Sequence, residues 1–122
     1  MNSKLKGKYY SQILDEKSGM YNEYIFEIQG DKKPLKFSLD MSTVSGKGTM
    51  GIRWEGNLID RGDHFAIIIR KEIDWVKTPL RKIVSHQKEK NDSAKIEIYP
   101  DEEKILIYHK SFPKLLVLHK IE

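Results

Sequence analysis

A chain of 122 residues, 33% charged and 39% hydrophobic, is long enough for one domain around one core, residues 1–122 together. It has no cysteine, which removes disulfides, thiolate metal sites, cysteine nucleophiles and iron–sulfur ligation. The formal net charge of +4 favours anionic partners at long range and equally serves solubility, and no apolar run approaches the roughly 20 residues of a membrane span.

The start of the chain is basic, Lys4, Lys6 and Lys8, but continues into Tyr9-Tyr10-Ser11-Gln12 instead of an apolar stretch. No secretory signal is read there, and a cytoplasmic location is expected. Leu5, Tyr9 and Ile13 oppose Lys6, Lys8 and Gln12, an alternation that places a first strand at 7–14. After a turn at Glu16-Lys17-Ser18-Gly19, Tyr24, Phe26 and Ile28 share one face of a second strand, 21–29.

A turn at Gly30-Asp31-Lys32-Lys33 leads to the clearest alternation, Leu35-Lys36-Phe37-Ser38-Leu39-Asp40-Met41, read as a strand over 35–41. Ser45-Gly46 turns the chain into a fourth strand, 49–59, with Met50, Ile52, Trp54 and Leu58 on one side. Arg61-Gly62-Asp63 reads as a hairpin turn before a fifth, 64–72. Phe65-Ala66-Ile67-Ile68-Ile69 is apolar on both faces, so this strand needs cover on both sides.

The next stretch breaks the period. Leu80, Ile83 and Val84 stand at helical spacing behind Thr78, a candidate N-cap, and Pro79, so one short helix is expected over 79–90. A turn at Asn91-Asp92-Ser93 and strands at 94–99, 104–110 and 114–121 complete the chain, with turns at Pro100-Asp101-Glu102 and Ser111-Phe112-Pro113. With Lys110 and Lys114 flanking the last turn, His109 faces Leu115 and His119 faces Ile105; Leu116 and Leu118 fall on the other face. The helix, or a partner subunit, is expected over the outer side of this two-sided hairpin. The fold class is therefore all-β: about eight antiparallel strands in a meander barrel or sandwich with one short helix.

Chemical motifs are few. Gly46-Lys47-Gly48-Thr49-Met50-Gly51 spells G-x-G-x-x-G, but strand residues follow it where a dinucleotide site needs a helix, so the glycines are read as turn and close-approach positions. Arg61-Gly62-Asp63 also spells the integrin-recognised tripeptide and is read as a turn. His109 and His119, on one face but about 13 Å apart along it, cannot share a metal. With no nucleophile elbow and no metal-ligand pair, no enzyme activity, metal or cofactor is expected.

The opening Leu5-Lys6-Gly7-Lys8-Tyr9 resembles the start of lipocalin-like (calycin-type) β-barrels, where a glycine, any residue and a tryptophan open the first strand and the ring plugs one end. Tyr9 stands in the tryptophan position, and Lys120 stands where the family often has an arginine on its last strand. The resemblance implies an eight-stranded barrel, packed solid or holding one small ligand. The function expected is a non-enzymatic binding module holding a small apolar or amphipathic ligand, lined by Tyr9, Phe26, Phe37, Trp54, Ile107 and His109. The alternatives are a protein-interaction domain (inhibitor, immunity protein or homodimer subunit) and a nucleic-acid binder using the lysine-rich helix.

Overall fold

The structure is a computed structural model that describes residues 6–30, 32, 34–112 and 115–122, with the backbone alone at position 85. Eight strands run β1 Gly7–Leu14, β2 Tyr21–Gln29, β3 Leu35–Ser45, β4 Gly48–Asp60, β5 Phe65–Lys77, β6 Lys82–Tyr99, β7 Lys104–Tyr108 and β8 Leu116–Lys120. Each is antiparallel to the next, and β8 returns to β1, closing the barrel. Closure continues into the last residues, where Lys8 N–H donates to the Glu122 carbonyl and Ile121 N–H to that of Lys8. Among the described residues no helix is long and apolar enough to cross a membrane.

Period-two alternation decides what fills the interior. The pairings Tyr9↔Phe26, Phe26↔Leu39 and Leu39↔Trp54 put the apolar set of each strand on one face, and curvature turns that face inward. Among the described residues sixteen apolar side chains form the resulting core, from Tyr9 on β1 to Leu118 on β8. Phe26 and Phe37 stack at 5.6 Å between ring centroids. Burial of this size is what stabilises a chain without disulfides.

The strands are very unequal. β4 and β5 have 13 residues and β6 has 18, whereas β7 and β8 have five each. β6 therefore pairs with β7 only over 95–99, and β8 meets β1 at Tyr9 and Tyr10. Beyond the closed ring, the long halves of β3–β6, with the ends of β1 and β2, continue as a curved sheet. Three register shifts help it curl, one of them between Asp74 and Trp75 of β5, where β6 advances from His86 to Val84. Between Ile69 and Lys71 of β5, β6 advances from Asp92 to Glu89, three residues against two. Between Glu55 and Gly56 of β4, β5 carries the extra residue Arg70. A Cβ at Gly56 would collide with the Ile68 carbonyl oxygen, so only glycine allows this close passage.

Several expectations are corrected. Residues 79–90 are not a helix. Thr78–Arg81 is the tight β5–β6 turn and the rest is strand. Thr78 does act as a cap, its hydroxyl accepting the Leu80 and Arg81 N–H groups at 3.3 Å, but the turn it fixes reverses a hairpin. Leu80, Ile83 and Val84 mimic helical spacing because one lies in the turn and the other two on opposite faces of β6. The long free edge of β5 supplies the hydrogen bonds, so tertiary pairing overrides local preference.

Asn91-Asp92-Ser93 likewise lies inside β6, its turn chemistry absorbed by the bulge. In the last hairpin the observed register is Ile105↔Leu118 and Ile107↔Leu116, one residue from that expected. The slip exchanges the faces of β8: Leu116 and Leu118 are buried and His119 is exposed. Left outside are Leu106 and Val117, which face each other and are half-buried without a helix above them, and the exposed Tyr108 and Leu115. Lys4, Leu5, Asp31, Lys33, Pro113 and Lys114, used in the sequence reading, lie outside the described residues.

Candidate functional site

The asymmetry of strand length creates a cup. Its wall is the curved extension of β2–β6 and its floor is the upper surface of the core. It encloses a cleft of about 620 Å³, open to solvent, within the size range of small-molecule sites. Short β7 and β8 leave a gap between β6 and β1, and the segment 109–112 crosses it. His109 holds this segment. Its Nδ1 accepts the Ser111 N–H at 3.0 Å, which leaves the proton on Nε2, placed 2.9 Å from Asp92 Oδ2. Asp92 also accepts its neighbour Ser93 N–H, and the His109 bond is the main cause of its pKa lying below the ordinary 3.8.

The floor is aromatic. Phe112 lies 6.2 Å from Tyr24, edge to face, and 6.2 Å from Trp54, while the Trp54 and His109 rings are 4.9 Å apart. Such a cluster is rigid and presents a flat apolar surface to whatever enters the cup. Ile52 and Met50 continue the apolar lining up the wall towards the rim.

One side of the floor is ionic. Glu72, buried beside Trp54, accepts the indole N–H at 2.8 Å. Lys88 reaches its other oxygen at 3.1 Å, and Lys90 lies 3.3 Å from the first. Lys90 also stands over the Trp54 ring at 5.5 Å. Burial alone would raise the Glu72 pKa, but the hydrogen bonds from Trp54, Lys88 and Lys90 hold it below the ordinary 4.5. Asp74 also lines the cleft, so the two ammonium groups here stand against two carboxylates. Among the described residues no group of three or more His, Asp or Glu side chains could hold a metal ion.

Of the residues chosen from sequence, Trp54 and His109 meet at the cup floor. Tyr9, Phe26, Phe37 and Ile107 lie deeper, at 1%, 0%, 3% and 0% exposure. No water-sized sphere fits against most of their surface, so the interior expected to receive a ligand is filled by side chains, as an eight-stranded barrel permits. Tyr9 sits towards the opposite end, next to Lys120 in the closing register, with burial the main cause of its raised pKa and the Glu103 charge the lesser one.

Sequence reading missed Glu72, Lys88 and Lys90. The extra residue Arg70 reverses the alternation of β5, so Glu72 and Asp74 follow Ile67 and Ile69 on the inner face. The helix expected over 79–90 puts the two lysines on its surface. The alternation of Lys88 and Lys90 with Glu89 is the signal that marks them as one face of a strand. Compared with known protein families and with curated proteins, the chain matches none.

Proposed function

We propose that this chain is a non-enzymatic binding module that takes a small amphipathic molecule in the cup at the open end of the barrel. The observation that carries the reading is the pairing of an aromatic floor with the Glu72–Lys90 ion pair in the lining of a single open cleft, with Lys88 reaching Glu72 from outside that lining. An apolar body would lie on Phe112 and Trp54, and a polar group would exchange contacts with Lys88 or Lys90. The lipocalin-like resemblance fits this reading in architecture, with Tyr9 beside Lys120 at the closed end. In this reading the ligand lies above the barrel interior instead of within it, because the core residues leave little exposed surface there.

Titration with anilinonaphthalene sulfonate, an amphipathic dye that fluoresces in apolar surroundings, tests the proposal. Saturable binding is expected, reduced about tenfold or more by Ile52→Asp, which puts a charge on the cup wall. Leu115→Asp, at an exposed position outside the cup lining, should bind as the original does. Absent saturation, or equal loss in both variants with folded near-UV spectra, rejects the cup as the site.

A protein-interaction domain is the second reading, favoured by the edge of β6 over 82–93, which has no strand partner on its outer side among the described residues. The bulges and the lysines along that edge are the devices by which proteins blunt edge-to-edge pairing, so the cup reading is preferred.

A further inference from the structure

We propose that the open end of the barrel docks on an anionic lipid bilayer, with the β5–β6 hairpin as its insertion point. The turn Thr78–Arg81 is held by its own hydrogen bonds: Thr78 N–H donates to the Arg81 carbonyl, and the Thr78 hydroxyl accepts from Leu80 and Arg81. This rigid tip carries Leu80 into solvent at 93% exposure, the most exposed large apolar side chain among the described residues. A leucine so placed has no partner in the fold and loses nothing on entering hydrocarbon.

The tip is not isolated. The register row Ile13↔Asn22, Asn22↔Thr43, Thr43↔Met50, Met50↔Val76 and Val76↔Ile83 puts three hairpin ends side by side at this end of the barrel. Along it Ile13, Met50 and Ile83 are exposed, as are Leu14 and Val84 beside it. Exposed apolar side chains gathered on one rim mark a contact surface, whereas scattered ones do not.

The charge selects the partner. Residues 75–85 contain Lys77, Arg81 and Lys82 and no carboxylate. Lys82 stacks over Trp75, an arrangement suited to the lipid headgroup layer. The neighbouring β3–β4 turn adds Lys47. The acids nearest the hairpin turns, Asp15 and Glu16, belong to the β1–β2 turn, where Asp15 is occupied by the Lys17 N–H and the Ser18 hydroxyl, and Asp74 lies further in, on the cup lining. An apolar tip ringed by cations matches lipid hydrocarbon under anionic headgroups. A nucleic acid would use the cations but give Leu80 no burial. This surface stands whether or not the cup takes a ligand.

Co-sedimentation with phosphatidylglycerol–phosphatidylcholine vesicles at low ionic strength tests the proposal, with pure phosphatidylcholine vesicles as the comparison. The protein is expected to sediment with the anionic vesicles, less so as salt is added. Leu80→Asp should lower the partition coefficient about tenfold. Lys77→Glu and Arg81→Glu should lower it at least about fivefold each, the factor contributed by one basic residue near an anionic surface. All three side chains are exposed, so the variants should keep the original tryptophan emission without lipid. Failure of the protein to sediment with anionic vesicles overturns the proposal. So does unchanged binding in Leu80→Asp, or binding to a DNA duplex that depends on these cations where vesicle binding is absent.

Discussion

Glu72 shows how one side chain links the core to the cup. Replacing it with alanine leaves the buried Trp54 indole N–H without its acceptor and removes the partner of two lysines. A loss of about 2 kcal/mol in urea unfolding is expected, and less for Glu72→Gln, whose amide oxygen still accepts from Trp54. Acid should act on the same contacts. Glu72 and Asp92 both hold their protons less tightly folded than unfolded, so the unfolded chain takes up protons first as pH falls. Their stabilisation is complete above the ordinary carboxylate values of 4.5 and 3.8 and is lost as pH drops below them. Thermal melts across the acid range should show this fall, and it should be shallower in Glu72→Gln. At the other limit Tyr10, whose hydroxyl donates to Glu23 at 2.8 Å, has its pKa pushed up to about 12 by burial and that bond. Its contribution is present below pH 10 and disappears as pH rises towards 12, which Tyr10→Phe should abolish.

At the scale of the element, the hairpins β4–β5 and β5–β6 are defined by where alternation is interrupted. Gly56 permits the close passage of β4 against Ile68, and Gly51 lies beneath the Trp75 ring. The two should respond differently to a methyl group. Gly56→Ala meets the Ile68 carbonyl oxygen head-on and should cost about 3 kcal/mol or more, whereas Gly51→Ala meets the Trp75 ring and, less closely, the Met41 carbonyl oxygen and should cost less, about 2 kcal/mol. Comparing urea midpoints at constant slope decides this. The bulges were not legible in advance, since nothing local to Arg70 marks it as an extra residue. Inner faces were legible wherever alternation ran unbroken, as from Leu35 to Met41. They were lost beyond Arg70, where the reversal carried Glu72 and Asp74 inward.

At the scale of the whole molecule, unequal strands divide the barrel into a closed ring and an open extension. The ring holds the core and is paired on both sides. The extension of β6 over 82–93 is paired on one side only among the described residues. Native-state hydrogen exchange should therefore protect the amides of 95–96, paired on both edges, those of 97–99 that point towards β7, and only those of 82–94 that point towards β5. Uniform protection along β6 would indicate a partner strand on its outer edge, as the protein-interaction reading requires.

The sequence by itself determined the class of fold, the strands of the first half and the inward set from Tyr9 to Leu58, because period two is a local property that each strand carries alone. It also carried the apolar identity of the interior residues Phe26, Phe37, Trp54 and Ile107. Only the tertiary structure decided that 82–93 is strand, that β8 sits one residue from its expected register, and that Glu72, Lys88 and Lys90 meet beside Trp54. Pairing partners, bulges and closure depend on edges supplied by distant residues. A stretch with mixed local signals takes the conformation that satisfies its neighbour's hydrogen bonds.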